Sequence, residues 1–412
     1  MGTVDQPYPD RVDTFAAFAD HVNPGKVAAY EALGLDIVMG ERGGSWFTDA
    51  FDPDRRWLNC HSNGGVFNLG HRNPAVVAAV RDAMDHLDIG NHHLVSGWRA
   101  ELADRLAATT DGLLDGVVFG VGGGEAIDLA LKVARGHTGR QGIVSAVGGY
   151  HGHTGLAMAT GDPEYRDPFG PNPPGFTQVA FGDIDALAAT VDTTTAAVIL
   201  ETIPATLGMP LPPPGYLARA RELCHSVGAL LILDEVQTGL GRTGRMWGYQ
   251  HEAKESGVLA PDMIVTAKGL SGGIYPITAT LMTAEVHTIF SEHPFSHIST
   301  AGGAELGCVA ALCVLDQVEA PGFLERVEAV GARIETGLAD LPCTMRRRGM
   351  FMGLAFDDPL GGLDATQKVI GAGVFAIFAN NDQSVLQLLP PLTITDDEVE
   401  WLVERLHVAL GA

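Results

Sequence analysis

The chain has 412 residues, 46% of them hydrophobic and 18% charged, enough for one large domain and a smaller one, each with its own core. Its 50 acidic residues against 26 basic ones give a net charge of -24, which repels nucleic acid and anionic membranes and mainly keeps the surface soluble. The five cysteines (Cys60, Cys224, Cys308, Cys313 and Cys343) form neither a CxxC pair nor a His/Cys zinc spacing, so a reducing compartment is expected, with no disulfide framework and no metal.

The N-terminal "MGTVDQPYPDRVDTF" has no apolar signal core, and no apolar run reaches the roughly 20 residues that span a bilayer. The expectation is a soluble, cytoplasmic protein. In "GSWFTDAFDPDRRWLNC", the segments "SWFTDA" and "RRWLNC" flank the turn residues "DPD", which predicts a hairpin. Apolar residues at helical spacing then mark "NPAVVAAVRDAMDHL" and "GWRAELADRLAATT". The strand candidate "GVVFGV" runs into the helix "GGGEAIDLALKVARGHT". The strands "QGIVSAV", "TAAVILET", "ALLILDE" and "DMIVTAK" follow, with the helix "GYLARARELCHSVG" among them. Alternation of this kind predicts an α/β layer fold with a mostly parallel sheet. Beyond about residue 300 come the helices "GGAELGCVAALCVLDQV" and "GFLERVEAVGARIETGLADL", which place Cys308 and Cys313 in an apolar helical stretch. The strands "FMGLAF" and "VLQLLP" and the helix "TDDEVEWLVERLHVAL" close a second, smaller α/β unit.

Ligands of open α/β sheets bind beyond the carboxyl ends of the strands, and three features fall there. In "VFGVGGGEAID" a strand meets Gly122, Gly123 and Gly124 just before a helix. Bare amides at a helix N-terminus suit a single phosphate, and the spacing is not that of a dinucleotide site. A tight turn without a ligand reads the same way. Asp234 ends the apolar strand "LLILD", where a buried acid needs a partner. Lys268 ends "DMIVTAK" before a Gly-rich loop. Taken singly, the acid could be a helix cap and the lysine a snorkelling surface residue. Together they meet the needs of pyridoxal phosphate: a phosphate cradle, a carboxylate for the ring nitrogen and a lysine for the Schiff base.

The run "LILDEVQTGLGRTGRMWG" followed by "APDMIVTAKGLSGG" resembles the signature of class III aminotransferases, which are pyridoxal-phosphate enzymes of fold type I. The likeness continues nearly end to end, in "NLGHRNPAVVAAV", "GGGEAIDLALKVAR", "GGYHGHTGLAMA", "ISTAGGAELGCVAAL", "RRRGMFMGLAF" and "LLPPLTIT". The resemblance implies a large domain with a mostly parallel seven-stranded sheet, residues 66-305. It also implies a small α/β domain formed by residues 306-412 with the N-terminal segment 1-65.

Roles follow from the resemblance residue by residue. Lys268 matches the lysine that carries the cofactor and moves the substrate proton, and Asp234 the acid facing the ring nitrogen. Val236 matches the residue packed on one ring face and Tyr150 the aromatic stacked on the other. Gln237 matches the amide at the phenolic oxygen. Gly123 and Gly124 match the phosphate turn, here without the flanking hydroxyls of many relatives. Thr300 matches a threonine that reaches the phosphate from the neighbouring subunit, so a homodimer with shared active sites is implied. Glu201 matches a polar residue near the ring edge with a supporting role.

The chain departs from many relatives at two positions. Gln387 stands where an arginine clamps the α-carboxylate of an amino acid, and Thr206 where a glutamate neutralises that arginine. A glutamine does not replace the charge of an arginine. The expected partners are therefore a small-molecule amine donor without an α-carboxylate (an aminosugar, an aminoglycoside or a diamine) and a carbonyl acceptor. The alternatives are an amino-acid transaminase clamped by Arg99, or an epimerase, racemase or aminomutase on the same scaffold. A cofactor-free binding protein is disfavoured by the presence of both Lys268 and Asp234. The loops "CHSNGG" and "GNHHLVSGW" are expected around the substrate, with His92, His93 and Trp98 as possible contacts.

Overall fold

The structure is a computed structural model that describes residues 6–252 and 260–411. Helices Arg11–His21 and Pro24–Ala32 precede strands β1 (Met39–Gly43), β2 (Trp46–Asp49) and β3 (Arg56–Asn59). The expected hairpin is present: Trp46 pairs with Leu58, Phe47 with Trp57 and Thr48 with Arg56. The Phe47 and Trp57 rings stack at 5.4 Å, the kind of cross-strand aromatic pair that fixes register.

Seven strands build the central sheet: β4 (Gly116–Gly120), β5 (Gly142–Ala146), β6 (Phe176–Val179), β7 (Thr195–Glu201), β8 (Leu230–Asp234), β9 (Met263–Thr266) and β10 (Thr278–Met282), in the order β4-β10-β9-β8-β7-β5-β6. β10 runs antiparallel to both neighbours, and the other contacts are parallel. Every residue of β7 and β8 is buried, as expected when helices cover both faces of a parallel sheet. Period-two alternation sends Val198, Leu200, Leu231 and Leu233 to one face. Ala197, Ile199, Leu230 and Ile232 go to the other, under Ala126, Ile127, Ala130 and Leu131 of helix Gly123–Thr138.

β6 and β10 were not marked by the sequence. β6 is a four-residue edge strand with one fully buried residue, so it has no apolar run. β10 carries threonines in its interior, and Thr280 satisfies its hydroxyl on the Ala126 carbonyl at 3.2 Å.

Local signals set the helix ends. Asn73 accepts from the amides of Ala75 and Val76 ahead of Pro74, the first residue of helix Pro74–Met84. Helix Glu305–Val318 buries Cys308, Ala311, Val314 and Leu315 in the larger core, against β8 and β10 residues. Cys308 is fully buried and Cys313 half-buried.

A second core gathers Leu58 and Cys60, helices Phe323–Gly337, Gly361–Gly371 and Asp396–Leu410, and strands β11 (Thr344–Arg348), β12 (Phe351–Ala355), β13 (Val374–Phe375) and β15 (Asp382–Leu388), the last paired with β14 (Ile377–Ala379). β13 pairs in parallel with β3, so the N-terminal strands and the C-terminal segment share one sheet. The capping box of Thr395 and Glu398 starts the last helix, and Glu398 also accepts from Trp46 Nε1 at 2.7 Å. Among the described residues no single helix is long and apolar enough to cross a membrane.

Candidate active site

β7 and β8 are in register, so Glu201 and Asp234 lie side by side at their carboxyl ends. β9 ends at Thr266, and Lys268 follows with a φ of 30°. A left-handed non-glycine residue is strained, a condition that clusters at functional sites. A cavity of about 560 Å³ opens here, and every residue expected to hold the cofactor except Thr300 lines it.

The two carboxylates of "LDEV" have different fates. Glu235 is fully buried and accepts from Thr202 Oγ1 (2.7 Å), Thr238 Oγ1 (2.5 Å), Gly248 N (2.9 Å) and Tyr249 N (2.8 Å). Four donors anchor it as a structural acid. Asp234 faces the cavity; its Oδ1 accepts from Val236 N at 3.0 Å and its Oδ2 lies 2.8 Å from His151 Nδ1. Burial works against a charge on His151, but the hydrogen bond to Asp234 and the charges of Asp234 and Glu201 outweigh it and raise its pKa.

Lys268 is lowered in pKa by burial, with Asp234 and Glu201 pulling the other way. Its amine therefore gives up its proton more readily than a surface lysine does. Burial pushes Glu201 up to about 7, although its oxygens accept from Tyr150 N at 2.8 Å and Ala205 N at 3.2 Å. The Tyr150 ring sits at the cavity rim, and burial, then the charges of Asp234 and Glu201, raise its phenol.

Helix Gly123–Thr138 begins without a side-chain cap, so its first amides are left to a ligand. A Cβ at Gly124 would lie 2.5 Å from Thr154 Oγ1, so the backbone can approach only as glycine. Gln237 Oε1 is buried without a partner among the described residues. A carboxylate, an amine of lowered pKa, an uncapped helix end and an unpartnered amide oxygen around one cavity fit pyridoxal phosphate.

The loop "CHSNGG" does reach the site. Ser62, Asn63, Gly64 and Gly65 all have positive φ, held where Asn59 Oδ1 accepts from the amides of His61 and Ser62. A Cβ on Gly64 would sit 2.6 Å from Gln237 Nε2 and 3.1 Å from Lys268 Cε. Gly64 belongs to that expected loop, whereas His151 is not singled out by the sequence. "YHG" placed a histidine beside Tyr150, but only the fold brings it to Asp234.

Thr300 is exposed and outside the cavity of its own chain. The "GNHHLVSGW" loop, with His92, His93 and Trp98, also lies outside it, and Trp98 is exposed. Arg99, outside the cavity, donates Nε to the Gly303 carbonyl (2.8 Å) and Nη1 to those of Asn91 (3.2 Å) and Leu94 (3.3 Å), while its Nη2 has no partner among the described residues. Thr206 lines the cavity and donates Oγ1 to the Gly148 carbonyl at 3.2 Å. Gln387 is buried in β15, donates Nε2 to the Phe378 carbonyl at 3.2 Å and leaves Oε1 without a partner among the described residues.

Residues 28–410 match the family described as aminotransferase class-III. An uncharacterized aminotransferase of Archaeoglobus fulgidus is 49% identical over 406 residues, covering 97% of this chain and 94% of that protein. The crystal structure of the ornithine aminotransferase from Toxoplasma gondii superposes with a TM-score of 0.87 at 27% identity, covering 98% of this chain and 95% of that one. An amine transaminase from an uncultivated Pseudomonas species, in its PLP-bound form, gives a TM-score of 0.82 at 28% identity, over 91% of this chain and 94% of that one. The chain belongs to the class III aminotransferases, pyridoxal-phosphate enzymes of fold type I.

Proposed function

We propose that this aminotransferase takes its amino group from a primary amine lacking an α-carboxylate and passes it to a carbonyl acceptor. One observation carries the reading: no arginine is among the described residues lining the cavity. An α-carboxylate brought there would lose a bidentate partner worth on the order of 2–5 kcal/mol. Amines, aminosugars and diamines carry no such group.

Pyridoxal phosphate, when bound, supplies an electron sink for the carbon bearing the amine. The protein residues do the rest. The uncapped amides at Gly123 and Gly124 would bind the phosphate. Asp234, oriented by His151 and the Val236 amide, would offer its carboxylate to the ring nitrogen. Tyr150 and Val236, both lining the cavity, would hold the ring, and Gln237 would offer its amide to the phenolic oxygen. Lys268, neutralised more easily through burial, would take the proton from the substrate carbon that bears the amine. Glu201 steadies the Tyr150 backbone at the ring edge.

The exposed Thr300 is proposed to serve the phosphate of a second copy, which makes the working form a homodimer. Sedimentation tests this: a dilute, fully active monomer refutes it. The substrate reading is tested by the half-reaction rates of a free aminosugar, a diamine, glutamate and alanine. A preference for glutamate and alanine over every carboxylate-free amine overturns it.

A further inference from the structure

Three rings run in a row outward from the cavity rim. Tyr150 lines the cavity; its ring meets that of His153 at 5.1 Å, and His153 meets Tyr165 at 5.2 Å. The outer end of the row is pinned from the smaller domain. Tyr165 donates its hydroxyl to Asn381 Oδ1 at 2.6 Å. Asn381, at the tip of the β14–β15 hairpin, donates Nδ2 to the Gly148 carbonyl at 2.8 Å and its backbone amide to the Thr206 carbonyl at 2.9 Å. Thr206 is itself a cavity residue, so the rings and the hairpin tip form one continuous wall beside the mouth.

Carboxylates flank the ring row, while the nearest cation at the hairpin tip, Arg346, is turned to the Gly208 carbonyl and to Asp382. Burial raises the Tyr165 phenol to about 12, and the neighbouring carboxylates of Glu164 and Asp162 push it the same way. Asp162 holds the wall from behind, both oxygens accepting from Gly148 N at 3.1 Å. Arg166, next along the chain, is turned to the Gly161 carbonyl and to Asp167. Aromatic faces edged by carboxylates attract cations and offer nothing to a carboxylate.

Resting on the amine reading above, we propose that Tyr150, His153 and Tyr165, edged by Glu164 and fixed by Asn381, form a subsite for a second cationic group of the amine substrate. The substrate class is then a diamine or oligoamine: one amino group reacts beside Lys268 while another, still protonated, rests on the ring row. A single positive charge over such faces strengthens binding roughly two- to fivefold at an exposed site and about thirtyfold where it is desolvated. Because the subsite acts before and during the reaction alike, the effect falls on KM and leaves kcat little changed.

The test compares putrescine with butylamine on the holoenzyme, reading KM and kcat of the half-reaction, and repeats both ligands by calorimetry on Lys268→Ala, which does not turn over. Putrescine is expected to show a KM about tenfold lower and a parallel gain in calorimetric affinity that shrinks as salt rises. His153→Arg, which puts a cation into the row, and Glu164→Gln on the exposed rim are expected to bring the putrescine-to-butylamine ratio toward one. Equal KM values for the two amines in the unaltered enzyme, or a ratio unmoved by both substitutions, overturn the subsite alone. Faster reaction of glutamate and alanine than of either amine overturns the amine reading and the subsite with it.

Discussion

His151 Nδ1 and Asp234 Oδ2 lie 2.8 Å apart, both groups almost wholly withdrawn from water. The imidazole holds the carboxylate by one oxygen while the Val236 amide holds the other. His151→Ala therefore leaves a buried acceptor short of a donor, a loss of about 1–3 kcal/mol of stability by denaturant titration. His151→Asn, whose amide can still donate, is expected to recover most of that loss. Asp234→Asn is expected to slow proton abstraction far more than it weakens cofactor binding; normal turnover in that variant refutes its pairing with the ring nitrogen.

Glu201 gives the fold a pH dependence. Its pKa rises from 4.5 to about 7 through burial, so the folded chain keeps a proton that the unfolded chain has released. Stability then falls as pH climbs from 4.5 to about 7. Two to three units of displacement correspond to on the order of 3 kcal/mol. His151 adds to the same trend: its raised pKa stabilises the fold in full below about 6.5, and that gain is lost as pH rises through the folded value. Tm measured across this range is expected to fall more steeply for the unaltered protein than for Glu201→Gln. Identical slopes refute the assignment to Glu201.

Lys268 carries the sharpest chemical expectation. Borohydride reduction of the yellow holoenzyme is expected to fix the cofactor on the peptide containing Lys268, and a label on any other lysine refutes its role. Lys268→Ala removes the anchoring amine and the proton carrier together, so transamination is expected to drop on the order of a thousandfold or more.

Gln387 and Thr206 test the substrate reading from the opposite direction. Gln387 lies in β15, and the hairpin that ends in β15 meets Thr206 through the Asn381 amide. Gln387→Arg alone buries a guanidinium without a counter-charge and is expected to destabilise the fold by about 3 kcal/mol or more. Adding Thr206→Glu supplies a carboxylate, and the double variant is expected to recover stability and gain turnover of α-amino acids. If the double variant is as unstable as Gln387→Arg, the two positions do not face each other. Stability with no gain in amino-acid turnover places them away from the substrate.

Composition, periodicity and the order of motifs sufficed for the alternating architecture, the hairpin near the N-terminus and the family. Those depend on local spacing: apolar runs such as Leu230–Leu233, glycines before a helix, a charged residue at a strand end. The same strand-end logic singled out Asp234 and Lys268, because an ionisable group bordering a buried strand demands a reason. Tertiary structure alone decided which groups meet. β10 enters the sheet antiparallel between β4 and β9 and, with threonines in place of an apolar run, leaves no period to read. Asp234 and Glu235 are neighbours in the chain, yet four donors, three of them 13 to 33 positions away, make one structural while the other faces the cavity. His151 reaches Asp234 across 83 positions of sequence, and Tyr165 reaches Asn381 across 216. Contacts of that range arise from packing and hydrogen-bond satisfaction in three dimensions, which no local pattern in one chain records.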